Sequence, residues 1–348
     1  MAILKFIYNF TEMKPEITVI IPVYNQEKTV ERAVRSVLAQ EVPVPYEIIL
    51  SDDASSDSTP MICSSLGEKY PGKIRVILHE KNRGIVRNYF NAFGLAEGKY
   101  IADCAGDDYW SSSHHLSSLL HLLERYPDAG IAHSAWFRAN PTDNTLSLSV
   151  FPDRYNSLFR EYSDAGSLLA NILSHDPSPL IHLSASLYRK ELLQRHLEKD
   201  PDIFLSRENL CEDLPITAVL AAFYPVAYTP QPSLAYTINP ASISNSDDSR
   251  KRFKLHYSAL MQTLGLARHL GFPVEKLSGY IDDQANYLMS LAFDASDSSM
   301  CEKACRLRSE HGVSFSLKSR LIAASFGNCI LSGMLRYVKK LLSAIKRN

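Results

Sequence analysis

Short apolar runs that each break into a polar cluster constrain this chain more than any other feature. Ile17-Thr18-Val19-Ile20-Ile21 is a β-branched run closed by Pro22, and it reads as a buried strand. Val30, Ala33, Val34, Val37 and Leu38 then recur at helical spacing and mark one apolar face. Pro43 and Pro45 end that unit. Glu47-Ile48-Ile49-Leu50 gives a second strand, Ile74–Leu78 a third and Tyr100-Ile101-Ala102 a fourth. One helix is expected from Gly84 to near Gly98, and another buries Leu116, Leu119, Leu120 and Leu123. Alternation of this kind implies an α/β chain with a mostly parallel sheet flanked by helices. In such sheets ligands bind beyond the carboxyl ends of the strands.

The polar clusters stand at those ends. Pro22-Val23-Tyr24-Asn25-Gln26-Glu27 follows the first strand, and its proline, aromatic and amide suit one wall of a nucleotide pocket. Strand-end Pro and Asn are also ordinary turn residues. Ser51-Asp52-Asp53-Ala54-Ser55-Ser56-Asp57 follows the second strand; Asp57 reads as a helix cap and Asp52 or Asp53 as a ligand contact. Asn82-Arg83-Gly84, with Arg87 and Asn88 in the next helix, offers cations and free N–H groups to a phosphate. Gly106-Asp107-Asp108-Tyr109-Trp110 follows the fourth strand. Its adjacent carboxylates suit Mn²⁺ or Mg²⁺ shared with substrate phosphates, or else acid at a helix start. Glu212-Asp213 opens a helix expected over Cys211–Phe223, where a carboxylate serves either as cap or as general base.

The rest of the chain is less regular. Gly130–Arg138 and Ile181–Tyr188 read as strands, Tyr224–Asn245 as loop and short strands, and the pattern is helical from about Ser249. Two domains are expected, 1–245 and a helical extension, 246–348. A formal net charge of -1 gives no reason to expect nucleic acid as a partner. Six scattered cysteines without a C-x-x-C pair fit a reducing cytoplasm; Cys301 and Cys305 share a helical face rather than a metal site. No stretch reaches the roughly 18 apolar residues of a spanning helix. Val313–Asn348, however, carries no Asp or Glu and interleaves Lys and Arg with apolar residues. That pattern leads us to expect either membrane-surface contact through residues 313–348 or a docked helix with a solvated basic face. The expected location is cytoplasmic, peripheral at the inner face of the membrane.

In order and spacing, the residues from about 16 to 245 resemble family 2 glycosyltransferases. Thr18–Asn25 looks like that family's first strand and nucleotide wall. Leu50–Thr59 resembles its "DDGSTDGT" turn, and Asn82-Arg83-Gly84 through Gly106-Asp107-Asp108-Tyr109-Trp110 the stretch ending in its metal motif. The resemblance implies a GT-A fold and single-displacement, inverting transfer from a nucleotide-diphosphate sugar, a UDP-sugar, to a glycan or lipid-linked acceptor of surface polysaccharide. It implies nucleotide contacts from Pro22, Tyr24, Asn25, Glu27, Asp52, Asp53, Arg83 and Arg87, with Asp53 on the base. Asp107 and Asp108 would hold the metal, and Asp213 beside Glu212 would be the base. Acceptor contacts are expected from His182, Arg207 and Glu208. There are departures. The family's acid two residues before Asp107 is Ala105 here, and its Tyr-Arg-x-His becomes Tyr236-Thr237-Ile238-Asn239. These favour, as the alternative, a non-catalytic nucleotide-sugar-binding relative or a partner-stabilising subunit. The missing glycine-rich loop after the first strand argues against a nucleotidyltransferase or a nicotinamide enzyme.

Overall fold

The computed structural model describes residues 14–326, 328 and 333–335, apart from 141, 144, 150, 152, 207–208 and 239–246. The chain forms two compact units, Met1–Ile238 and Asn239–Asn348. The domain boundary expected between 245 and 246, together with Arg207, Glu208, Asn239 and half of the basic C-terminal stretch, lies outside the described residues.

The first unit opens with β1 (Ile17–Val23), α1 (Val30–Leu38), β2 (Tyr46–Asp52), α2 (Thr59–Lys69), β3 (Ile74–Leu78), α3 (Ile85–Leu95) and β4 (Tyr100–Asp103). It continues through β5 (Tyr109–Trp110), α4 (His115–Arg125), β6 (Ile131–Ala139), β7 (Leu146–Leu148) and β8 (Tyr162–Ser163). Then come α5 (Leu169–Leu173), β9 (Ser186–Arg189), α6 (Lys190–Lys199), α7 (Asp202–Leu205), α8 (Asp213–Phe223) and β10 (Val226–Thr237). One mixed sheet runs β3-β2-β1-β4-β9-β6-β10-β5, with β7 on β6 and β8 on β10. Strands β3, β2, β1 and β4 are parallel, as the alternation predicts. Strand β9 runs antiparallel to both β4 and β6, and β10 returns parallel to β6. The carboxyl ends of β1, β4, β6 and β10 therefore share one edge of the sheet.

All seven residues of β1 are buried because helices cover both faces of the sheet. Burying each of its isoleucine and valine side chains contributes about 1.5–3 kcal/mol. On α1 the buried set is Val30, Ala33, Val34 and Val37, the stripe expected from spacing. Close packing at the start of β1 needs Gly98: a Cβ there would lie 2.5 Å from the Thr18 nitrogen and 2.7 Å from the Ile17 carbonyl carbon. The Gly98 N–H donates instead to Thr18 Oγ1 (2.9 Å), whose hydroxyl donates to Glu47 (2.8 Å).

Three sequence expectations need correction. Strand β1 runs through Pro22 to Val23, because Pro22 sits near the end of the ladder opposite Ser51 and its carbonyl still accepts from Gly106 N. Only the second half of the run Ile181–Tyr188 is strand; Leu183–Ala185 is a 3-10 turn. Tyr224–Asn245 hides a twelve-residue strand, β10, whose register with β6 shifts between Thr229 and Leu234. Pro230 and Pro232 lack the N–H groups a regular ladder needs, and they fall in that shift.

In the second unit α9 (Ser249–His269), α10 (Ser278–Ala295), α11 (Ser298–His311) and α12 (Leu317–Ser325) follow in order. Asp248, Asp297 and Ser316 cap the N-termini of α9, α11 and α12. Cys301 is buried on α11, its Sγ 3.7 Å from the sulfur of Met289, and Cys305 is half-buried. Among the described residues no helix is long and apolar enough to cross a membrane.

Candidate active site

The loops after β1 and β2 are laced together. Asn25 N–H donates to Ser55 Oγ (2.8 Å), and Ser56 N–H returns a bond to Asn25 Oδ1 (2.8 Å). Gln26 N–H donates to Thr59 Oγ1 (2.8 Å), Glu27 N–H to Asp57 (3.1 Å), and Ser58 N–H to the Glu27 carboxylate (3.0 Å). Asn25 and Ala54 both take left-handed backbone angles, φ +53° and +58°, which the crossed bonds hold in place. Asp57 accepts from Thr59 N at 3.0 Å, but the cap position of α2 is Ser58, which makes no side-chain cap bond, so Asp57 stands one residue outside the cap it was expected to fill. Tyr24 projects from this framework half exposed.

The two aspartates after β2 face inward. Asp52 accepts from Ser55 N (3.0 Å) and Ser55 Oγ (2.5 Å). Asp53 is 2% exposed, and its two oxygens accept from Arg83 N (2.7 Å) and Gly84 N (2.8 Å). Asp53 thus anchors the loop that leads into α3. Asn88, grouped with Arg87 on sequence, is buried: its amide accepts from the Ser51 hydroxyl (2.6 Å) and donates to the Ser51 carbonyl (3.0 Å). Lys81, Arg83 and Arg87 instead stand exposed around a cavity of about 780 Å³, with Phe90 and Leu205 on its far wall.

The turn after β4 is pinned to β1. Gly106 N–H reaches the Pro22 carbonyl (3.3 Å), and a Cβ at Gly106 would meet Gln26 Oε1 at 2.3 Å and Val23 Cγ1 at 2.4 Å. Asp107 and Asp108 then diverge. Asp108 is 1% exposed, and its Oδ1 accepts from Thr237 N (2.9 Å). That bond straps the turn to β10, so Asp108 faces the interior rather than a shared ion. Burial holds its carboxyl well above the ordinary range, with the Asp107 charge adding to it. Asp107 is half-buried; burial raises it too, against its own backbone N–H and the Arg32 charge. Arg32, on α1, donates to the Asp107 carbonyl (3.0 Å) and to Thr237 Oγ1 (3.1 Å), and its guanidinium lies 4.4 Å from the Tyr109 ring centre. No sequence signal marked Arg32, since a polar-face arginine on a helix looks like any solvated charge.

Asp103, the last residue of β4, is buried beneath this turn. Burial raises its carboxyl well above the ordinary range; the Tyr89 hydroxyl opposes that, and Glu212 and Asp213 add to it. Those two residues begin α8, a helix buried along most of its length. Glu212 is pushed up to about 8 by burial and by Asp213, and half-buried Asp213 to about 6 by burial. The Asp213 charge also acts on Asp108, which ties the start of α8 electrostatically to the turn after β4. Among the described residues no group of three or more His, Cys, Asp or Glu could hold a metal alone. The donor set that does exist, one half-buried carboxylate at Asp107, suits a hard cation completed by substrate phosphates.

Residues 18–197 match the model for glycosyl transferase family 2. This chain belongs to that family. Among its relatives, an uncharacterized protein of Mycobacterium tuberculosis is 38% identical over 108 residues, 31% of this chain and 31% of that protein. The succinoglycan biosynthesis protein ExoO of Rhizobium meliloti is 24% identical over 230 residues, 66% of this chain and 63% of its own. The first match thus spans about a third of its relative's length. Solved structures resemble the chain more widely. Staphylococcus aureus TarS 1-349 in complex with UDP-GlcNAc has 17% identity and a TM-score of 0.56, covering 90% of this chain and 91% of that one. The mannosyltransferase PcManGT of Pyrobaculum calidifontis, in complex with GDP-Man and Mn²⁺, has 16% identity and a TM-score of 0.52, covering 93% and 87%. At such identities the likeness carries the fold, which is GT-A.

Proposed function

We propose that this chain is an inverting glycosyltransferase that moves a sugar from a UDP-sugar to a glycan or lipid-linked acceptor of surface polysaccharide. The observation that carries the reading is the pairing, at one sheet edge, of a half-buried carboxylate at Asp107 with the raised acidic pair Glu212 and Asp213. The nucleotide would lie on Tyr24 and the laced loops, beside Arg83 and Arg87. Asp53 serves this site by fixing the Arg83 loop, and Asp52 by shaping its own turn. UDP-GlcNAc in TarS and GDP-Man in PcManGT support a nucleotide-diphosphate sugar as donor, with TarS favouring UDP, and the succinoglycan biosynthesis named for ExoO supports a surface-polysaccharide acceptor.

Asp107 would hold a divalent cation, which when bound neutralises charge on the departing diphosphate. Arg32, half-buried beside Asp107, supplies fixed positive charge at the same place. Asp213 would accept the acceptor hydroxyl's proton as the new carbon–oxygen bond forms and the bond from the anomeric carbon to the diphosphate breaks. Its raised position keeps it a competent base near neutral pH. Glu212, still protonated there, limits the negative charge beside it. The reading includes peripheral contact with the cytoplasmic face of the membrane through residues 313–348. Deleting that segment should move the protein from the membrane fraction to the soluble one; an unchanged distribution would refute the contact.

Calorimetry with UDP and GDP, with and without Mn²⁺, on the native chain and on Asp107→Ala tests the donor site. Metal-dependent UDP binding lost in the variant is the expected result. Binding indifferent to metal would mean that Ala105 marks a site without the cation. No nucleotide binding would favour the partner-stabilising subunit.

A further inference from the structure

A column of aromatic rings rises from the core and ends in the open beside the acidic pair. Phe151 packs on Trp136 with centroids 5.4 Å apart, Trp136 on His182 at 5.7 Å, and His182 on Tyr236 at 4.9 Å. From Trp136 outward exposure climbs: Trp136 is 3% exposed, His182 9% and Tyr236 40%, while Phe151, on the other side of Trp136, is half-buried. His182, expected on sequence to touch the acceptor, instead lies behind Tyr236. Burial lowers its imidazole to about 4, so it backs the tyrosine as a neutral ring at physiological pH.

The column is fixed to the catalytic edge. Tyr236 precedes Thr237, whose N–H binds Asp108 and whose hydroxyl accepts from Arg32. Side chains alternate along a strand, so Tyr236 points away from Thr237 and Arg32. Its hydroxyl feels the charges of Asp108, Asp107 and Asp213. Its register partner on β6 is Arg138, an exposed cation. Neither the Tyr236 hydroxyl nor the Arg138 guanidinium has a hydrogen-bond or ion-pair partner among the described residues. In the sheet order β10 lies on the far side of β4 from β1 and β2, which carry the nucleotide wall. With strands about 4.8 Å apart, three steps separate β10 from β4, roughly 14 Å along the sheet.

We propose that Tyr236 is the acceptor-sugar platform of this site, a rigid ring on which the acceptor's pyranose lies with its rim hydroxyls toward Asp213. The assignment rests on the transferase reading and adds to it a residue that fixes specificity. A pyranose presents a patch of C–H groups on one face and hydroxyls at its edge. An exposed phenol with an apolar body and a wet tip, and with its own motion stopped by His182 and Trp136, matches both. Arg138 supplies hydrogen bonds at one side of the same surface. A buried histidine and tryptophan stacked behind a surface tyrosine would be a wasteful way to fill a core, because a single aliphatic residue under a polar one does that.

The test uses the full chain with Mg²⁺ and UDP. Saturation-transfer NMR is run with methyl glucoside, methyl galactoside, methyl N-acetylglucosaminide and methyl glucuronide as probes. Native protein and Tyr236→Phe should transfer saturation to the ring protons of at least one glycoside. Tyr236→Ala should weaken that binding about tenfold, the loss expected when a ring contact worth about 1.4 kcal/mol is removed. UDP affinity, measured by calorimetry on all three, should agree within about twofold, a difference well below 1 kcal/mol. Absence of every glycoside from the native protein, or full binding by Tyr236→Ala, overturns the assignment. Failure of the native protein to bind UDP overturns the transferase reading instead, so the two failures are told apart.

Discussion

Asp53 offers the sharpest test of how the donor side is built. Its carboxylate, 2% exposed, accepts one bond from Arg83 N and one from Gly84 N. Asp53→Asn keeps one acceptor oxygen and turns the other into an amide NH₂ that confronts an N–H. One charge-assisted bond is lost, which costs about 1.5–3 kcal/mol. Arg83 and Gly84 are themselves exposed, so water reaches the freed amide and the cost stays near the lower end, about 2 kcal/mol. For a unit of this size a loss of about 2 kcal/mol lowers the melting temperature by roughly 4–8 °C. Asp53→Ala removes both bonds and should cost about twice as much. Scanning calorimetry of the full chain reads the shift, and UDP titration of the same samples should show weaker binding, because the Arg83 loop loses its anchor. Unchanged melting in both variants, or an alanine variant no worse than the asparagine one, would refute the assignment of Asp53 as an anchor.

Other consequences can be measured directly. The ratio kcat/KM should rise with pH as Asp213 ionises near about 6, and Asp213→Asn should lower kcat by about 10²–10⁴-fold; a flat profile would remove Asp213 as base. Because the folded-state value of Asp213 lies above the ordinary carboxylate value, the native state holds this proton more tightly. Its contribution to stability is therefore greatest below the ordinary value and is lost as pH rises to about 6; urea melts of native and Asp213→Asn protein at pH 3 and 8 should diverge at the higher pH and agree at the lower. Gly106→Ala forces a methyl against Val23 and Gln26 and should cost about 1–3 kcal/mol while displacing Asp107, seen as joint loss of melting temperature and UDP affinity. Gly98→Ala drives its methyl into the backbone of β1, which cannot yield, and should cost about 3 kcal/mol or more; normal soluble yield would contradict that packing.

The sequence shows the half of the sheet from β3 to β4 plainly because each strand there is a short apolar run and each connection a short amphipathic helix. The half from β9 to β10 is harder to read for identifiable reasons. Strand β10 carries Pro230 and Pro232 in its register shift, so it looks like loop. Leu183–Ala185 is apolar enough for a strand but turns before β9. Within the site, the spacing of the acids is legible and their direction is not. Asp53, Asp107 and Asp108 are all aspartates at strand ends, yet two are buried and consumed by backbone N–H groups and one stays half-exposed. Arg32 depends on a contact about 200 residues away, its bond to Thr237, and Tyr236 on His182 and Arg138, and no local pattern encodes them.

The crossed hydrogen bonds between the loops after β1 and β2 bear on the thermodynamics of donor recognition. Loops that order only on contact spend part of the interaction energy on their own entropy. Here Asn25, Gln26 and Glu27 are already locked to Ser55, Ser56, Asp57, Ser58 and Thr59. The conformational loss has occurred during folding, so a nucleotide meets a wall in its final shape. Its heat-capacity change should then reflect the surface of the ligand and its pocket alone, without the larger negative value that accompanies coupled folding.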